Sequence, residues 1–333
     1  MNAIDIHFHA VPPLFVDALR AHAFAASVEM KREGDLDRLI FHAPAGVPVE
    51  AASIKPRQFD RTLLLQALDE RLLSAAAISP PPELFMYWAP AELGARMATI
   101  MNDGFAQMAS ADPDRFLPLA TLPMQSPMLA AAELERAVTV LGLRGAAICT
   151  HVNGVDLDNA AYDPVFAMAE RLGVPVFLHP QNSGDISRLE QYHLWNLIGF
   201  PIETATAAAR LVMSGMFERH PRLTVVLAHG GGYFPYQVGR LDHGWRARKE
   251  ASVNLPRPPS SYLGNIICDS LTHSPESLRF LIERIGIDHI VLGTDYPFDM
   301  KDDTPVQSVQ RLGLPREQEK LILSGTLERL LAR

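Results

Sequence analysis

The 333-residue chain carries only two cysteines, Cys149 and Cys268, each inside an apolar run ("GAAICT", "NIICDS"). So few thiols exclude a disulfide scaffold and fit buried cysteines in a reducing compartment. Runs of basic residues are missing, and the formal charge is −8. Both count against nucleic acid as a partner. No apolar run reaches the roughly 18 residues needed to span a bilayer. A basic start followed by a long apolar region, the mark of a leader, is also missing. The expectation is a soluble, cytoplasmic protein with neither a membrane nor a nucleic-acid partner. No GxGxxG opens the first helix, which counts against a doubly wound dinucleotide-binding sheet. Without an internal repeat or a low-complexity tract, one domain over residues 1–333 is the expected count.

Short apolar runs, several rich in β-branched residues, alternate with helical patterns. Strands are expected at 3–9, 74–79, 116–122, 145–150, 175–179, 224–229, 265–270 and 289–294. Helices are expected at 62–72, 94–112, 128–141, 163–172, 203–219, 276–285 and 316–331. In "SPMLAAAELERAVTVLG", Ser126 is placed to cap, Pro127 suits the first turn, and Gly142 follows the end. Eight strands separated by helices predict an α/β fold of the (βα)8 TIM-barrel type. The first βα connection, about 10–58, is too long for a simple loop and is expected to be partly structured. Its "DRLIFHAPAGVPVEAA" reads as a small hairpin covering one end of the barrel.

"IDIHFHA" places His7 and His9 on one face of the first strand, with Phe8 opposite. In such barrels, function sits at the carboxyl ends of the strands. Strand five ends on His179 ("VFLHP"), strand six on His229 ("VLAHGGG") and strand eight on Asp295 ("LGTDYPF"). Each alone is more simply a hydrogen-bonded rim residue, but together they place imidazoles and a carboxylate on one rim. Such a nitrogen and oxygen set suits zinc, with manganese, iron or cobalt compatible.

With "LPMQSP" (122–127), "THVNG" (150–154), "FPIETATAAARLVMSGMFERHPRL" (200–223), "HGGGYFPYQVGRLDHGWR" (229–246) and "DYPF" (295–298), the chain resembles the amidohydrolase superfamily. More narrowly, it is similar to the non-oxidative decarboxylase branch typified by 2-amino-3-carboxymuconate-6-semialdehyde decarboxylase. The resemblance implies one divalent metal, usually zinc, held by His7, His9, His179 and Asp295. His229 would lie close to the metal water, as general base or as donor to a substrate oxygen. Asp295 is the alternative proton donor, and residues alone leave the two open. Strand four ends "ICTHV", with no lysine or acid to bridge a second metal, and His151 is expected to make a rim hydrogen bond.

The activity so implied is decarboxylation of a hydroxylated aromatic or heteroaromatic acid or of a ring-cleavage semialdehyde acid. Hydrolysis of an amide, lactone or ring-cleavage product on the same site is the alternative. Arg240 matches an arginine that enters the neighbouring subunit's active site and grips carboxylate, implying a homodimer and a small anionic substrate. Trp245, Arg246 and Arg248 would shape the same interface. Lys55 and Arg57 lie near where a second substrate arginine would be. The branch has Trp after "HP" of strand five, where this chain reads "HPQNSG". Gln181 and Asn182 therefore offer hydrogen bonds in place of an apolar wall. Phe8, Phe85, Met86, Tyr87 and Trp88, most of them in "LFMYWAP" (84–90) after strand two, are candidates for a separate apolar, largely aromatic wall. Asp269 is expected to serve as a structural hydrogen-bonding group.

Overall fold

The computed structural model describes residues 2–24, 27–34, 36–43, 52–181 and 187–332. β1 (Ile4–His9) pairs in parallel with β5 (Ala75–Ser79). Between them, β2 (Val28–Glu33), β3 (Leu36–Phe41) and β4 (Ala52–Ile54) form an antiparallel sheet. The hairpin expected over 37–52 is thus a three-stranded sheet starting upstream at Val28, and residues 44–51 lie outside the described ones. "VEMKRE" alternates too weakly to stand out as a strand, and its register is supplied by pairing with β3.

A second parallel sheet holds β6 (Ala120–Thr121), β7 (Ala146–Cys149), β10 (Val176–His179), β11 (Val225–Leu227), β12 (Ile266–Asp269) and β13 (Ile290–Val291). Its spatial order is β13-β12-β11-β10-β7-β6. After β7, β8 (His151–Val152) and β9 (Val155–Asp156) make a small antiparallel pair. The parallel strands are buried throughout, which explains their apolar, non-alternating sequences.

Backbone hydrogen bonds join the β1–β5 pair to both edges of this sheet. On one side, Leu117 N–H donates to Ala76 O and Leu119 N–H to Ile78 O, each at 2.9 Å. On the other, Ile6 N–H donates to Leu292 O at 2.9 Å and Asp295 N–H to His7 O at 2.7 Å. The strand expected at 116–122 is regular only at Ala120–Thr121, because Pro118 has no N–H to give to the ladder. That expected at 289–294 shortens to Ile290–Val291, with His289 in a preceding 3₁₀ turn.

Helices follow the strands much as the periodicity predicts. The helix Pro127–Thr139 has Pro127 in its first turn, but Ser126 at its N-cap makes no side-chain cap bond. The helix expected at 203–219 begins at Phe200 and is split at Gly215 into Phe200–Met213 and Met216–Arg219. Among the described residues, no helix is long and apolar enough to cross a membrane.

Candidate metal centre and cavity

The side chains of His7, His9, His179, His229 and Asp295 meet at the carboxyl ends of β1, β10, β11 and β13. Each of three imidazoles presents Nδ1 to a group that only accepts. His7 Nδ1 lies 2.7 Å from Asp269 Oδ2, His9 Nδ1 3.0 Å from Pro80 O, and His179 Nδ1 2.9 Å from Pro180 O. In the neutral ring Nδ1 therefore carries the proton, and Nε2 is left as a bare lone pair. Those lone pairs converge on Asp295 Oδ1, at 3.1 Å from His7, 3.2 Å from His9 and 4.0 Å from His179. All four atoms are buried and none has a hydrogen-bond partner. Four acceptors facing one another without a donor repel; a cation between them removes the repulsion. The donor set fits a divalent metal.

Without an ion the same crowding draws in a proton. Burial opposes charge on His7, but Asp295 and Asp269 outweigh it and raise its pKa to about 10, so a proton on Nε2 takes the place a cation would fill. Burial pushes His179 down to about 3, so it stays neutral, as a metal ligand must. Burial also opposes ionisation of Asp295, yet the neighbouring histidines hold it well below the usual carboxylate range. The pocket asks for positive charge.

His229 stands slightly apart. His7, His179, His229 and Asp295 each place a ligand-capable atom within 4.8 Å of the others. His229 Nε2, however, faces the other carboxylate oxygen, Asp295 Oδ2, at 3.5 Å, and its Nδ1 has no partner. Its backbone is left-handed (φ 55°), as is that of Asp295 (φ 62°). Such strain in non-glycine residues gathers where function aims a side chain. The glycines after His229 make the turn possible: a Cβ on Gly232 would lie 2.3 Å from Pro201 O, and one on Gly231 2.8 Å from Cys268 Sγ.

Two acids hold this arrangement: Asp269, the structural hydrogen-bonding group expected, and Asp5, which the sequence reading missed. Asp269 accepts from His7, and its Oδ2 also takes the His229 N–H at 2.9 Å while Oδ1 takes the Gly230 N–H at 2.7 Å. Asp5 accepts the N–H groups of His7 at 2.7 Å and Thr294 at 3.1 Å, tying β1 to the segment that carries Asp295. An acid at the end of "NIICD" or the start of "DIHFH" carries no pattern of its own.

A cavity of about 630 Å³ opens from His229 and Asp295. Its aromatic lining comes from Phe200, Tyr233, Tyr236 and Phe280, not from the expected wall. Phe8 is fully buried on the far face of β1, stacked on Tyr296 at 4.4 Å. Phe85, Met86 and Tyr87 are buried, and Trp88 packs edge-on against Phe41 at 5.5 Å. Gln181 is half-buried and its backbone O accepts from His151 Nε2 at 3.2 Å; Asn182 lies outside the described residues. Arg240 is exposed on the helix Phe234–Ala247, as are Arg246 and Arg248 near its end, while Trp245 donates to Leu255 O at 3.0 Å. Lys55 and Arg57 line a separate small pocket beside Phe298.

The family model described as Amidohydrolase matches residues 4–333. The 2-amino-3-carboxymuconate-6-semialdehyde decarboxylase of Dictyostelium discoideum is 34% identical over 329 residues, covering 97% of this chain and 89% of that protein. The structure of 5-carboxyvanillate decarboxylase from Sphingomonas paucimobilis matches with a TM-score of 0.83 and 28% identity, over 99% of this chain and 98% of that one. A dihydroxybenzoic acid decarboxylase from Polaromonas sp. JS666, with bound manganese and 2-nitroresorcinol, matches with a TM-score of 0.75 and 26% identity over 99% and 97%. The chain belongs to the amidohydrolase family.

Proposed function

We propose that the protein is a metal-dependent, non-oxidative decarboxylase working at the carboxyl ends of a closed (βα)8 barrel. Its substrate is a small hydroxylated aromatic or heteroaromatic acid, or a ring-cleavage semialdehyde acid. The observation that carries this reading is the convergence of four buried, unpartnered acceptors, one of which, Asp295, lines a 630 Å³ cavity. His7, His9, His179 and Asp295 would hold one divalent ion. The cyclic strand order, hydrogen-bonded at both edges of the β1–β5 pair, supports the barrel.

The bound ion supplies a Lewis acid that orients and polarises the substrate's carboxylate and neighbouring oxygen. The chain's own part is proton handling. In the reaction, the carbon bearing the carboxylate gains a proton, the C–CO2 bond breaks, and its electron pair restores the π system. His229 lines the cavity, and its Nε2 faces the Asp295 oxygen turned away from the other imidazoles. That pair holds the proton next to the reacting carbon, a general acid–base role worth ~10²–10⁴-fold. Arg240 shares its helix with the cavity residue Tyr236 and faces outward. In a homodimer it would serve the neighbouring subunit's cavity.

The test is elemental analysis of the purified protein together with a screen of hydroxybenzoates, hydroxypicolinates and muconate semialdehydes for CO2 release. CO2 release that stops on chelation and returns with Mn²⁺ or Zn²⁺ supports the reading. Oxygen from labelled water retained in a new carboxylate, without CO2, overturns it in favour of hydrolysis.

A further inference from the structure

Behind the metal ligands lies a buried cation that the proposed chemistry does not use. Arg71, at the end of the helix Arg61–Glu70, is only 7% exposed. Its guanidinium sits 4.9 Å from the centroid of the Tyr296 ring, and Tyr296 stacks on Phe8 at 4.4 Å with the rings 20° apart. Phe8 stands between His7 and His9 in sequence, and Tyr296 follows Asp295. The stack therefore joins the two segments that carry three of the four expected ligands. Those segments are also laced by backbone bonds, Asp295 N–H to His7 O and His9 N–H to Tyr296 O, both at 2.7 Å. Arg71 fixes the far end of the second segment as well: it pairs with Asp303, and its Nη1 donates to Ala67 O at 3.0 Å.

We infer that Arg71 is a positioning residue for the metal site, setting the spacing between the β1 histidines and Asp295 through Tyr296 and Phe8. This rests on the metal reading above.

A purely stabilising role fits less well. Asp303 is 60% exposed and has a second partner in Lys301 at 3.2 Å, so losing Arg71 strands no buried charge. Arg71 Nε is itself buried without a partner. Removing one member of a buried ion pair is costly because it leaves the other charge buried and uncompensated, and the exposed Asp303 would not be left so. What methionine cannot do is present a charged planar face to Tyr296. Lysine keeps the charge and can still pair with Asp303, but it also lacks that plane.

The experiment measures Mn²⁺ affinity by chelator competition, and the visible absorption of the Co²⁺-loaded form, for full-length wild type, Arg71→Met and Arg71→Lys. Thermal unfolding of each metal-free protein is followed in parallel. Both variants should bind Mn²⁺ about tenfold more weakly, the usual lower bound for disturbing the support of a ligand. Their cobalt bands should change, and their metal-free melting temperatures should stay near wild type. Should Arg71→Met fail to fold, Arg71→Lys carries the comparison. Affinities within twofold of wild type with unchanged cobalt spectra overturn the inference. So does a loss of affinity that merely tracks a collapse in metal-free stability. A wild-type protein that takes up neither ion overturns the metal reading itself, which is a separate result.

Discussion

Asp269 and His7 are joined across the strand ends by a 2.7 Å contact between Oδ2 and Nδ1. The same carboxylate accepts the backbone N–H groups of His229, Gly230 and Leu271. One acid thus sets the tautomer of an expected ligand and the path of the turn that carries His229. Asparagine offers a single acceptor oxygen. In Asp269→Asn, either His7 or the turn loses its partner. Metal affinity should fall 10–100-fold, as expected for a group that orients a ligand. Each buried N–H left unpaired should also cost about 1–3 kcal/mol of stability. Isothermal titration with Mn²⁺ and urea unfolding of the metal-free protein measure the two effects. Unchanged metal affinity would remove Asp269 from the site.

The three-stranded sheet provides a test of pH dependence away from the metal. Asp37 on β3 takes hydrogen bonds from Arg32 on β2 and from Arg20 on the helix Pro13–Arg20. Burial opposes ionisation of Asp37, but the bonds from Arg32 and Arg20 outweigh it and hold the carboxyl below its usual range. In the unfolded chain the group returns to an ordinary aspartate pKa of about 3.9. Its contribution to stability is therefore fully present above that pH and is lost as pH falls through the depressed folded value. Wild type should exceed Asp37→Asn in unfolding free energy at neutral pH, with the gap narrowing below about pH 4. A gap that widened on acidification would reverse the sign and defeat the assignment.

The turn after β11 depends on glycine for space as well as for conformation. Gly232 has φ 57°, and an added Cβ would meet the Pro201 backbone oxygen at 2.3 Å. Neither the left-handed backbone nor a carbonyl of the helix Phe200–Met213 yields easily. Gly232→Ala should cost more than the ~1–3 kcal/mol of backbone strain alone. It should also displace His229, so that turnover falls further than stability does. Chemical denaturation and steady-state rates on any accepted acid would measure this. A variant as stable and active as wild type would mean that the turn has another way to relax.

How much of this was legible in the sequence depended on periodicity. The alternation that pairs His7 with His9 also sends Phe8 to the opposite face, where it stacks on Tyr296 instead of walling the cavity. His179, His229 and Asp295 stood out because each directly follows an apolar run. Asp269 was legible as a structural hydrogen-bonding group but its partner was not, because His7 lies 262 positions away; Asp5 was not legible at all, with Thr294 289 positions away. The cavity wall was hidden for a related reason. Phe200 begins one helix, Tyr233 precedes another and Phe280 lies in the middle of Pro275–Ile285, three separate segments brought together only by the fold. The antiparallel sheet beyond β1 was half seen, because β2 is polar and takes its register from β3.

His179 and His229 adjoin the same carboxylate, yet their surroundings differ. His179 is buried, its tautomer fixed by Pro180 O, and its bare Nε2 points at Asp295 Oδ1. His229 borders the cavity, is 17% exposed, and faces Asp295 Oδ2. A ligand that binds only the folded state stabilises it by about 2.7 kcal/mol at 100 times its dissociation constant. Saturating Mn²⁺ or Zn²⁺ should therefore raise the melting temperature of wild type. His179→Ala should lose that rise, because one of four acceptors is gone. His229→Asn should keep the rise while losing at least ~10²-fold in turnover, since an amide can hydrogen-bond but cannot exchange a proton. The opposite outcome, in which His229→Asn abolishes the metal-dependent rise and His179→Ala preserves it, would place His229 among the ligands and move the proton to another group.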